Sequence, residues 1–226
     1  MKTDHLIPHP IIIDNLLTEK QVKAVLDEIA SFNLYHVSPA RNYKYWTWFF
    51  EDDPLRNERV ICQIFDNIWS DSRINDALEK NYNYASHMMK GADTDQTQVK
   101  IEGIDDECNW HRNDYASMKG HLILMTWLYY LKPKDNYTGG EFEYSFENIR
   151  QKRENWDPVE EPKETIKIEN KHNRMVLIPS FFWHRVNPVK FTQYDSPLDG
   201  RISINGRVGY KLADSNKNLQ DAVWTE

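Results

Sequence analysis

The chain has 226 residues, 40% apolar and 13% aromatic, which is enough to bury a substantial core in one domain. No apolar run approaches the roughly 18–20 residues that span a bilayer, and the two cysteines, Cys62 and Cys108, make no disulfide framework. With 28 basic against 35 acidic residues the net charge is −7, which speaks against a phosphate-binding surface for nucleic acid. The N-terminus carries no secretory pattern, so a cytoplasmic chain with reduced thiols is the expectation.

The first segment, Pro10 to Asp14, reads as a short apolar strand. Thr18 and Gln21 have the spacing of a capping box, and Val22, Val25, Leu26 and Ile29 then share one helical face. Val60, Ile61, Ile64, Phe65, Ile68 and Trp69 mark a second helix, and residues 74–89 a weaker third. These stripes belong to a core rather than to chemistry. Tyr43, Tyr45, Trp46, Trp48, Phe49 and Phe50 read best as a packed strand.

After about residue 95 the pattern changes to strands and turns. Val99 to Ile104 alternates, and Leu122 to Leu131 is continuously apolar and aromatic, the signature of a strand buried on both faces. Residues 136–140 read as a turn, Glu141 to Phe146 as an alternating strand, and residues 147–164 as a polar loop. Thr165 to Ile168, Met175 to Ile178 and Arg201 to Tyr210 are further strands. Helices first and short strands after predict an α+β, mainly β domain. Within one domain over 1–226, the division is helical support over 1–95, a β core over 96–212 and a tail over 213–226.

Two histidines stand out. His111 follows one strand, and His184 follows another; Asp114 lies three residues after His111. Two histidines and a carboxylate are the parts of a facial triad that leaves open positions on iron(II). The same set suits zinc with a bound water, although Cys-x-x-Cys and His-Glu-x-x-His are missing. Arg201 opens an alternating strand, and a guanidinium facing into a barrel suits a carboxylate gripped by two hydrogen bonds.

In order along the chain, these parts resemble the prolyl 4-hydroxylase-like branch of the iron(II)/2-oxoglutarate-dependent dioxygenases. The resemblance rests on Pro10 to Leu17, on Tyr137-Thr138-Gly139-Gly140-Glu141, on Arg174 to Val186 with its Pro179-Ser180-Phe181-Phe182-Trp183-His184, and on Arg201 to Gly206. It implies a double-stranded β-helix, a cupin-like jelly roll, with the N-terminal helices packed on one sheet. It implies iron(II) held by His111, Asp114 and His184. It implies 2-oxoglutarate held at its distal carboxylate by Arg201 and Tyr130, with Asn205 and Leu128 as neighbours. Trp110 and Trp183 are expected to wall the site. The resemblance further implies O2 as co-reactant, ascorbate as an accessory cofactor, and as substrate a peptide, with a prolyl residue foremost, or a small molecule. Neither nucleic acid nor a membrane is expected as a partner.

Three departures stand beside the resemblance. The family spaces its first ligands His-x-Asp, whereas here Asn113 stands two residues after His111 and the aspartate one later. Either a bulge swings Asp114 onto the metal, which a hard anionic ligand favours, or Asn113 takes the carboxylate's place. Cys108 stands where many relatives have tyrosine. The long gap from His184 to Arg201 implies an extended loop over 190–200, which with 30–55 and 147–164 forms the expected rim. The alternatives are a jelly-roll binding module with a degenerate metal site and a zinc hydrolase.

Overall fold

The computed structural model describes residues 9–37, 45–82, 93–113, 121–132, 135–152 and 157–211. Its strands are β1 (Ile11–Asp14), β2 (Tyr35–Val37), β3 (Tyr45–Phe49), β4 (Asp93–Glu102), β5 (Cys108–His111), β6 (His121–Tyr130) and β7 (Tyr137–Gly139). They continue as β8 (Phe142–Ser145), β9 (Ile166–Ile168), β10 (Arg174–Pro179), β11 (Trp183–Val186), β12 (Val189–Phe191) and β13 (Arg201–Lys211). The helices are α1 (Glu19–Ile29), α2 (Val60–Asn67) and α3 (Ser72–Tyr82).

The larger sheet runs β1-β10-β6-β13-β4-β3-β2 and the smaller one β5-β11-β8-β9, both antiparallel, with β12 and β7 as a separate ribbon. This is the expected α+β, mainly β class, with the helices packed on one sheet. Alternation explains the layering. Val99, Ile101, Met125, Trp127, Tyr129, Met175, Leu177, Ile202 and Ile204 project from one face of the larger sheet into a core shared with α1, α2 and α3. Their neighbours Leu128, Tyr130, Val176 and Ile178 project from the other face and meet Phe142, Tyr144, Ile168, Phe182 and Val186 beside the smaller sheet. Gly206 leaves room for the outer core, since a Cβ there would lie 2.9 Å from the Trp127 indole nitrogen.

Local chemistry fixes the helical layer to the sheet. Thr18 Oγ1 accepts from Gln21 N at 3.3 Å while Gln21 Oε1 accepts from Thr18 N at 2.9 Å, the capping box the sequence predicts. Such a cap is worth about 1 kcal/mol. Asn173, at φ +58°, clamps the entry to α1: its Oδ1 accepts from Leu17 N and Tyr129 Oη, and its Nδ2 donates to Leu17 O.

Several predicted boundaries shift. The second helix ends at Asn67, and Ile68–Ser70 tightens into a 3-10 turn. The aromatic stretch read as a packed strand is β3, which with β2 adds to the larger sheet through β4. The predicted turn at 136–140 contains β7, and the predicted loop at 190–200 takes part in β12 and carries a 3-10 turn at Pro197–Asp199. Strands this short offer no alternation to read; pairing between them creates the structure. Asp106 is buried, and its Oδ2 accepts from Gly103 N.

Candidate active site

β5 and β11 lie side by side in the smaller sheet, and their register sets His111 opposite His184. The two ring centroids are 4.1 Å apart. A register shift beside this pair places four residues of β5, Cys108 to His111, against three of β11, His184 to Val186. The bulge turns Cys108 to the same side as His111, its Sγ 3.7 Å from His111 Nδ1. The residues before the histidines take the opposite face. Trp110 and Trp183 therefore do not wall the site. They form their own cluster with Ile149, covered by Arg185 over Trp110 and Arg112 over Trp183.

Both imidazoles are oriented by backbone. His111 Nδ1 lies 2.8 Å from Asn109 O, and His184 Nδ1 lies 2.8 Å from Phe182 O. A ring that donates from Nδ1 to a carbonyl carries its lone pair on Nε2, the form in which imidazole binds a metal. Burial holds both rings neutral. It lowers His184 to about 4 and, with His184 as a second cause, holds His111 well below the usual histidine range.

Asn113 completes this end. Its backbone N–H donates to Ser180 O, which ties it to the turn before β11. Its Nδ2 donates to Thr126 Oγ1 at 3.1 Å and lies 3.2 Å from His184 Nε2. Its Oδ1 is buried with no hydrogen-bond partner among the described residues. A half-turn of the amide exchanges the two atoms, so this side chain can offer an oxygen beside the His184 imidazole. Asp114 lies outside the described residues. Among the described residues no three His, Cys, Asp or Glu side chains converge on one point. The donor set at hand is thus two neutral nitrogens and an amide, which fits a divalent cation but brings no compensating charge.

The inner face of β6 leads from this end to the other. Thr126 bonds Asn113, Leu128 follows, and Tyr130 comes last, a run of about 13 Å at 3.3 Å per residue. Across the β6–β13 ladder Leu128 faces Asn205 and Tyr130 faces Ser203. Arg201, one strand start away, sets its guanidinium carbon 4.9 Å from the Tyr130 ring centre. The four sequence-predicted co-substrate residues, Arg201, Tyr130, Asn205 and Leu128, are therefore brought together. Burial raises Tyr130 to about 12, so its hydroxyl is a neutral donor.

The glycine turn shapes the room for Arg201. Gly140 has φ +69°, and a Cβ there would sit 2.8 Å from Arg201 Cδ. Gly139, at φ +78°, would drive a Cβ to 2.0 Å from Pro188 O. Any side chain at either position would displace the turn that Arg201 packs against.

Sequence reading alone missed Glu102 and Lys100. The β13–β4 register sets Glu102 opposite Arg201, and Arg201 Nη1 donates to Glu102 Oε2 at 2.5 Å. Both side chains are 1% exposed. Burial works against the charge on Arg201, but Glu102, with Tyr130 and Tyr137, outweighs it and raises the Arg201 pKa. Lys100, also buried, rests its ammonium 4.1 Å above the Tyr45 ring. Arg201 Nε and Nη2, Tyr130 Oη, Ser203 Oγ and Asn205 Oδ1 are buried with no hydrogen-bond partner among the described residues. That many unsatisfied polar atoms on the inner faces of β6 and β13 mark a place built for a polar ligand.

Residues 97–207 match the family model described as the 2OG-Fe(II) oxygenase superfamily. No curated protein matches the chain. Among solved structures, the chain is similar to a prolyl hydroxylase from Trichoplax adhaerens in complex with a hypoxia inducible factor oxygen degradation domain peptide fragment. Identity is 20% and the TM-score 0.55, over 89% of this chain and 84% of that one. It is similar to a prolyl-4-hydroxylase from Pseudomonas putida at 13% identity and TM-score 0.57, over 90% and 93%. It is also similar to HygX from Streptomyces hygroscopicus, solved with nickel, 2-oxoglutarate and hygromycin B, at 13% identity and TM-score 0.57, over 92% and 90%. At these identities the likeness is one of fold.

Proposed function

Because residues 97–207 match the 2OG-Fe(II) oxygenase superfamily model, we propose that the chain is an iron(II)- and 2-oxoglutarate-dependent dioxygenase that hydroxylates its substrate. The observation that carries this reading is the His111–His184 pair on the smaller sheet and Arg201 on the larger one, linked by the inner face of β6 from Thr126 to Tyr130. His111 and His184 hold the iron through Nε2. The third donor comes from Asn113-Asp114, with Asn113 the side chain that stands beside His184. Arg201 grips the distal carboxylate of 2-oxoglutarate through Nε and Nη2, and the Tyr130 hydroxyl donates to the same carboxylate. Leu128 and Asn205 flank its carbon chain.

Iron(II) and 2-oxoglutarate, when bound, supply the electrons that activate O2 for insertion into a C–H bond. The protein's part is placement. Backbone carbonyls of Asn109 and Phe182 fix the imidazole planes. The apolar inner core of Leu128, Val176, Ile178 and Phe182 keeps bulk water from the cleft.

A prolyl residue in a peptide is the substrate class to try first, since prolyl hydroxylases are among the chains that share this fold. Small molecules are the next, as HygX was solved with hygromycin B. The test is succinate release from 2-oxoglutarate, dependent on iron(II) and stimulated by proline-containing peptides. Stimulation by a peptide, lost on replacing its proline, is the expected result. Iron-dependent succinate release that no such peptide stimulates would overturn the prolyl assignment alone.

One observation favours a second reading, a jelly-roll binding module. The group beside His184 is an amide, and a neutral donor set holds iron(II) more weakly than one with a carboxylate. That reading requires the folded protein to leave iron(II) unbound.

A further inference from the structure

The Arg201 end of the cleft contains a carboxylate of its own. Glu102 lies opposite Arg201 in the β4–β13 ladder and takes Nη1, while Nε and Nη2 have no partner among the described residues. A guanidinium is a rigid planar fork, so fixing Nη1 fixes the direction of the Nε–Nη2 edge. That edge matches a carboxylate with two parallel hydrogen bonds. A ligand bound there shares the guanidinium with Glu102. Two carboxylates then face one cation in a site that excludes water, and each weakens the other's hold.

We propose that Glu102 is the internal counter-ion of Arg201 and the specificity-determining residue of this carboxylate subsite. It aims the fork at the ligand and reduces the subsite's preference for a charged distal group over a neutral one. The inference rests on the 2-oxo-acid reading above. A distal amide suits the subsite on chemical grounds: its oxygen accepts from Arg201, and its NH2 can donate to Glu102. Lys100, on the same strand face two residues before Glu102, keeps the cluster of Lys100, Glu102 and Arg201 at one net positive charge. Glu102 therefore lowers the anion preference without abolishing it.

The test is calorimetric titration of the full-length protein, with and without zinc(II) as an inert metal, against 2-oxoglutarate and 2-oxoglutaramate, its distal amide. The wild-type protein is expected to prefer the acid by less than about tenfold. Glu102→Gln keeps a side-chain oxygen for Arg201 and removes the charge, so it should raise that preference by about tenfold or more, the effect of one buried charge at close range. An unchanged or reduced preference in Glu102→Gln overturns the proposal and leaves the 2-oxo-acid reading standing. Binding of the acid by Glu102→Gln but not by the wild type upholds the role of Glu102 and contradicts 2-oxoglutarate dependence of the native protein. Binding by neither contradicts both. If Glu102→Gln does not fold, the wild-type ratio decides: below about tenfold supports the proposal, and a higher ratio or no binding overturns it.

Discussion

The two ends of the cleft are built from opposite materials. At the histidine end the candidate metal donors are neutral: His111 and His184 are kept uncharged chiefly by burial, with the nearby cations Arg207 and Lys100 acting in the same direction, and Asn113 is an amide. At the arginine end charge is dense: Arg201, Glu102 and Lys100 are all buried within two adjacent strands. A metal dication is best served by an anion at the first end, and a ligand carboxylate by an uncompensated cation at the second. Here the described residues lack the first anion and supply one at the second. The difference teaches that the two ends are separable, with geometry set by the backbone at one and by a charge pair at the other.

The largest effect should follow from breaking the neutral end outright. His184→Ala should abolish saturable iron(II) binding, read as metal stoichiometry of the anaerobically loaded protein. Unchanged stoichiometry would remove His184 from the metal site. Next in size is the charge pair. Glu102→Ala leaves Arg201 buried without its counter-ion and should cost about 3–5 kcal/mol of unfolding free energy in denaturant melts. The loss should shrink in excess 2-oxoglutarate, which binds only the folded state. A loss of less than about 1 kcal/mol would mean that the pair holds nothing together.

The neutral end should announce itself in the pH dependence of the metal-free protein. An unfolded histidine titrates near 6.5, while folded His184 titrates near 4. Between these values the unfolded state binds the extra proton, so stability is full above pH 6.5 and falls as the pH drops toward 4. His184 alone contributes about 3 kcal/mol to that decline, and His111 acts in the same direction. Chemical melts from pH 7 to 4 check it, and a slope that His184→Asn leaves unaltered would contradict it. The smallest effect comes from restoring the missing charge. Asn113→Asp should tighten iron(II) binding by about tenfold or more, because it adds an anion beside the metal. Asp114→Ala serves as the comparison: if it costs more affinity than Asn113→Ala, the ligand is Asp114.

Much of the frame was legible because it is local or periodic. The Thr18–Gln21 cap, the apolar face of α1 and the alternation of β13 each carry their pattern within a few residues. His184 and Arg201 could be singled out because their flanking segments are distinctive. The rest depends on what lies across a gap in sequence. Alternation puts Lys100 and Glu102 on one face of β4, but only the second sheet tells that this face is a cleft and not solvent. The positions of Trp110 and Trp183 were readable and were misassigned. Each directly precedes a histidine on a strand and so points the opposite way. The choice between Asn113 and Asp114 turns on backbone angles just past β5, which residue types do not encode.

The central claim is that one cleft holds iron at its histidine end and a 2-oxo acid reaching to Arg201. Anaerobic titration of the metal-free protein with iron(II) and 2-oxoglutarate tests it most directly, by the visible absorption band of a metal-bound 2-oxo acid. The account predicts a saturable band that His184→Ala removes and Arg201→Ala shifts to higher 2-oxoglutarate concentration. A folded protein that gives no band at any concentration of either would contradict it.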